Sequence, residues 1–142
     1  MKDVIISLKG YSDHEQKLEF VTEGKYYKKG NQYFITYNES EMTGMDGTTT
    51  TLKVSDQVVS LIRFGAVNSN FVFQEGKVNT SRYITEFGEF SVEIKANRVF
   101  VEMNDFGGVI EMDYLLDLSD GNDTENKFYM TIKEAGNNEY NQ

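Results

Sequence analysis

The chain carries three arginines, Arg63, Arg82 and Arg98, and the placement of the first two invites a chemical reading. In VNTSRYITEF, Arg82 shares the parity of Val78, Thr80 and Ile84; in VVSLIRFG, Arg63 shares that of Val59 and Leu61. Side chains alternate between the two faces of a strand, so each guanidinium belongs to a face that carries apolar residues. If that face turns inward, the charge needs an anion, either an internal carboxylate or the acid group of a ligand. The competing arrangement is an outward arginine paired with a neighbouring glutamate. Tyr37 and Tyr114, each in register with an apolar face, offer hydroxyls to the same interior.

Other stretches look chemical and fail on inspection. EMTGMDGTTTTLKV, residues 41–54, has the glycines of a phosphate loop, but Thr48 stands where a P-loop needs its lysine, and TTTLKVSD is strand-forming rather than helical. Asp46-Gly47 is a hairpin-turn pair instead, with both central residues expected at positive φ. The four threonines then put two hydroxyls on each face of a strand. DLSDGNDTEN fails as an EF-hand, because with Gly121 at the sharp turn the first and third ligand positions fall on Leu116 and Leu118 and the last on Lys127. His14, the one histidine, sits between Asp13 and Glu15 without a Gly-x-Ser-x-Gly elbow anywhere in the chain, and is read as a solvated loop residue. No catalytic residue, metal ligand or cofactor is assigned.

Composition narrows the classes further. At 142 residues with 39% hydrophobic content, the chain is sized for a single domain, residues 1–142, with a substantial core. Ten phenylalanines and nine tyrosines, with many valines, isoleucines and threonines, favour strands. Cysteine is absent, which removes disulfides and thiolate chemistry. The opening run VIISLKG is too short for a secretory signal and no run reaches membrane-spanning length, so a cytoplasmic setting is expected and the sequons at Asn38, Asn79 and Asn122 are irrelevant. A net charge of -9 disfavours nucleic acid and anionic membrane as partners.

Period-two alternation then sets the architecture. Phe90, Val92, Ile94 and Ala96 oppose Ser91, Glu93 and Lys95; Ile110, Met112, Tyr114, Leu116 and Leu118 oppose Glu111, Asp113 and Asp117; Phe128, Met130 and Ile132 oppose Tyr129, Thr131 and Lys133. Strands are expected near 4–11, 16–28, 32–42, 48–55, 57–64, 70–75, 77–86, 89–96, 98–104, 109–118 and 127–134. Consecutive strands with short turns hide their edges most simply in a closed all-β, antiparallel, up-and-down barrel of roughly eight to ten strands, with a β-sandwich as the alternative.

The order of ITYNE, GTTTTLKV, LIRFG, FVFQEG, YITEFGEFSVEI, NRVFVEM, GGVIEMDYLLDL and KFYMTIKE resembles the YwiB-like family of uncharacterised bacterial proteins, from about residue 3 to 135. The resemblance implies a lipocalin-like barrel of the calycin group and brings no activity, ligand or catalytic residue. The Gly-x-Trp of true lipocalins is missing, as the chain has no tryptophan. So is the Arg-x-Tyr of fatty-acid-binding proteins, where this chain has Lys127 and Tyr129.

Three functions follow as expectations. The first is a non-enzymatic binder of a small, partly apolar or acidic ligand in the barrel, with Arg82, Arg63, Tyr37 and Tyr114 as binding residues. The second is a protein-interaction module with a filled barrel and an acidic surface. The third is an isomerase or hydrolase working in the cup. The oligomeric state is not legible in the sequence.

Overall fold

The computed structural model describes residues 1–118 and 121–135. They form a closed antiparallel barrel of ten strands: β1 (Lys2–Ser12), β2 (Glu15–Lys29), β3 (Gln32–Asn38), β4 (Thr48–Ser55), β5 (Val58–Gly65), β6 (Asn68–Gln74), β7 (Val78–Thr85), β8 (Gly88–Asn104), β9 (Gly107–Asp117) and β10 (Asp123–Glu134). Each strand pairs with its neighbours in sequence, and β1 closes the ring on β10 from Val4 opposite Glu134 to Ser12 opposite Asn126. Every strand is hydrogen-bonded to two neighbours and the ring closes, so the sandwich alternative does not apply. Among the described residues no helix is long and apolar enough to cross a membrane.

Up-and-down topology divides the molecule into two ends. The β1–β2, β3–β4, β5–β6, β7–β8 and β9–β10 connections crown one end, called the upper end; the remaining connections and the start of β1 lie at the other. The lower half is packed solid. Val4, Ile6, Ile35, Leu52, Val59, Ile110, Met112 and Met130 are all essentially inaccessible there. Tyr26 stacks on Tyr33 with ring centroids 5.7 Å apart and donates its hydroxyl to the Asn104 carbonyl at 2.5 Å, which closes that end.

Local chemistry departs from the sequence expectations at the turns. Among the described residues, the two-residue turns with both residues at positive φ are Asp13-His14 (50° and 68°) and Asp56-Gln57 (46° and 64°), neither of which contains glycine. Aspartate tolerates the left-handed region and opens both. Asp46-Gly47 is not such a turn: only Gly47 is at positive φ (87°), and β3 ends at Asn38 rather than near residue 42. Ser40 explains the difference. Its hydroxyl accepts from the Met42 N–H and caps a 3₁₀ turn, Glu41–Thr43, that ends on Gly44 in the left-handed region, so a long loop replaces the tight hairpin. The threonine run behaves as expected, with Thr48 and Thr50 buried and Thr49 and Thr51 on the outer side. The strands expected at 89–96 and 98–104 are one strand, β8, carrying a bulge at Asn97 where the register with β9 shifts between Ala96 and Arg98. The polar turn after β9 includes Ser119 and Asp120, which lie outside the described residues.

Candidate functional site

Above the solid half, the strand registers align an inward-facing row of polar side chains. Tyr37 on β3 is opposite Thr50 on β4, Thr50 opposite Arg63 on β5, Arg63 opposite Ser69 on β6, and Ser69 opposite Tyr83 on β7. All but Tyr83 share the parity of buried apolar neighbours: Ile35 with Tyr37, Leu52 with Thr50, Val59 and Leu61 with Arg63, and Phe71 and Phe73 with Ser69.

Glu39, just past the end of β3, folds into the same row and is buried. Thr50 Oγ1 donates to its Oε2 at 2.5 Å, and Arg63 Nε stands 4.0 Å from that oxygen. At that separation the charges attract by about 4 kcal/mol for an effective dielectric of about 20, before desolvation is charged against it. The distance is too long for a hydrogen bond. Arg63 Nε is buried with no hydrogen-bond partner, and so is Ser69 Oγ, its cross-strand neighbour. Two adjacent buried donors without acceptors are what an anion would satisfy. The Arg63 side chain is 17% exposed, and its guanidinium carbon lies 5.9 Å from the centroid of Phe71.

Burial pushes the Tyr37 phenol far above its ordinary value, the Glu39 charge pushes the same way, and Arg63 pulls partly back. Burial also raises Tyr114, again opposed by Arg63. Both phenols are therefore neutral donors at physiological pH.

Beneath the upper end Arg63 faces a cavity of about 440 Å³ whose walls include Leu61, Phe71, Phe73, Ile94, Tyr114 and Leu116. Phe73 and Tyr114 meet edge to face with centroids 4.9 Å apart, and Phe71 stacks on Tyr83 at 6.1 Å. The space is in the range of small-molecule sites, which are mostly apolar with a few fixed polar groups.

Of the four residues expected in the interior, Tyr37, Arg63 and Tyr114 are there, with Tyr37 behind Arg63 rather than on the cavity wall. Arg82 is not. Its side chain is 70% exposed and pairs with Glu89 on the outer surface. The apolar parity on β7 misleads because Val78 and Ile84 are themselves exposed, while Asn79, Ser81 and Tyr83 face the other way. Arg98 is also outside, bonded to Glu111 at 2.7 Å. His14 is exposed in its turn, 3.1 Å from Glu125. Thr50 is one of the two threonine hydroxyls expected on one face of its strand, whereas Ser69 and Tyr83 carry no such signal and Glu39 only the parity of Ile35 and Tyr37.

A closed ten-strand barrel with a solid lower half, an apolar upper cavity and one under-bonded arginine defines the class of protein. The chain belongs to the family described as "Domain of unknown function (DUF1934)", whose model matches residues 6–132. It is 30% identical over 123 residues to the uncharacterized beta-barrel protein YwiB of Bacillus subtilis (strain 168), covering 87% of this chain and 84% of that one. The crystal structure of the ywiB protein from Bacillus subtilis superposes with a TM-score of 0.84 at 24% identity, over 95% of this chain and 93% of that chain, and so shares the fold.

Proposed function

We propose that the chain is a non-enzymatic binding protein that holds one small, largely apolar molecule with a singly charged acid group, in a lipocalin-like manner and in a cytoplasmic setting. The observation that carries this reading is Arg63, whose buried Nε lacks a hydrogen-bond partner beside an apolar cavity. The acid group bonds to Arg63 and Ser69, and the apolar body lies along Phe71, Phe73, Tyr114 and Leu116. Glu39 already offsets one positive charge, which favours a carboxylate over a doubly charged phosphate.

The experiment is a fluorescence titration with dansyl-labelled undecanoic acid and its methyl ester. The acid binds the wild type more tightly than the ester, and Arg63→Met weakens the acid about 10- to 100-fold, as loss of charge-assisted hydrogen bonds worth about 1.5–3 kcal/mol requires. The ester's affinity stays within about threefold. Equal binding of acid and ester by the wild type would remove Arg63 as the anchor.

A further inference from the structure

The barrel wall is incomplete at one place, and Arg63 lies behind it. β6 and β7 pair only at Asn68 with Ile84 and Ser69 with Tyr83, whereas every other ladder of the barrel runs for at least five residues. Below Ser69 the two strands part. A side chain stands in for the ladder at one point, where Ser81 Oγ donates to the Asn70 carbonyl at 2.6 Å. β7 stays with β8 throughout, and the β6–β7 turn joins them, with Gly76 N–H donating to Ala96 and Ala96 N–H donating to Lys77. A slot bounded by Asn70–Gln74 and Val78–Arg82 is left in the wall.

Over the upper part of that slot lies a lateral depression of about 610 Å³, whose walls include Ser69, Asn70, Ser81, Arg82, Ile84 and Arg63. Arg63 therefore borders both the lateral depression and the axial cavity. The two arginines that share a sequence pattern stand on opposite sides of one wall, Arg82 outside with Glu89 and Arg63 inside with Glu39. The way between them carries Ser69 and Ser81 beside Ile84, and the axial cavity has apolar walls below a mouth that carries Lys17 and Lys127.

The geometry points to a lateral gate: the acid group of the ligand reaches Arg63 sideways through the β6–β7 seam, guided by Arg82, and comes to rest between Arg63 and Ser69. This rests on the binding function proposed above. On the axial route the head leaves the lysines of the mouth and passes Leu116, Phe73 and Ile94 before it meets Arg63, whereas on the lateral route Arg82 outside and Arg63 inside border one and the same depression.

The chain has no cysteine, so a Val72→Cys/Thr80→Cys variant can be bridged selectively across the slot by a short bismaleimide. Continuing the Asn68–Ile84 register sets these two positions opposite each other, both away from the core. Stopped-flow association of dansyl-labelled undecanoic acid is then measured on the wild type and on the double variant before and after bridging. Bridging is expected to slow association at least tenfold, with the unbridged variant at the wild-type rate. Arg82→Gln is expected to slow it about threefold and to flatten its salt dependence, with dissociation unchanged. Association that is indifferent to both changes overturns the gate and leaves the binding function standing. Absence of binding to the wild type overturns the binding function and the gate with it.

Discussion

Replacing Thr50 by valine keeps the shape of the side chain and removes one hydroxyl. That hydroxyl donates to Glu39 Oε2 at 2.5 Å, in a pair where Thr50 is fully buried and Glu39 is 6% exposed. A hydrogen bond to a charged group contributes about 1.5–3 kcal/mol, and here no water replaces the lost donor without a cavity, so the upper part of that range applies. For a domain of this size the melting temperature should fall by about 4–10 °C. Thermal and urea melts of Thr50→Val measure it, with Thr49→Val on the exposed face as the control, expected within about 0.5 kcal/mol of the wild type. The double variant Glu39→Leu/Thr50→Val, which removes both partners, should recover part of the loss because no carboxylate is left short of a donor, though Arg63 then loses its neighbour. A Thr50→Val protein as stable as the Thr49→Val control would refute the internal Glu39 network.

Other changes probe the frame around the site. Gly24→Ala should cost about 3 kcal/mol in a urea melt, since its Cβ would lie 2.5 Å from Ile6 Cδ1 and 2.6 Å from the Thr36 carbonyl oxygen; a loss below about 1 kcal/mol would mean β2 can move away. Gly47→Val should destabilise by about 1–2 kcal/mol through its positive φ of 87°, whereas Gly10→Ala, with its Cβ at 3.6 Å from Leu18 Cβ, should stay near neutral. Tyr37 and Tyr114 are held neutral in the fold above their ordinary 10.0, so their contribution is complete below pH 10 and is lost as pH rises toward the folded values. Unfolding free energy should therefore fall above pH 10, and tyrosinate absorbance should show a late-titrating class that disappears in urea.

The architecture was legible because alternation is a backbone property. Wherever one face is buried, as at Val92, Ile94 and Ala96 or at Phe128, Met130 and Ile132, the period of two identifies the inner side directly. β7 defeats the same rule because its inward residues face a polar row and an open seam, leaving Val78 and Ile84 to the outside and carrying Arg82 with them. Asn97 was hidden for a different reason: a bulge inserts one residue into a continuous strand, which looks in sequence like a boundary. The site itself was half visible. Arg63, Tyr37 and Tyr114 follow from parity with apolar residues, and Ser69 falls one residue outside the strand expected at 70–75; Glu39 lies inside the strand expected at 32–42 with the inward parity, but a carboxylate is ordinarily placed in solvent and nothing local signals its buried partners.

The most direct measurement is a crystal structure of the chain grown with undecanoic acid. Density for one molecule is expected in the upper cavity, its carboxylate within hydrogen-bond distance of Arg63 Nε and Ser69 Oγ and its chain against Phe71, Phe73 and Tyr114. A cavity closed by its own side chains, or the acid bound elsewhere with Arg63 Nε still unpaired, would contradict it.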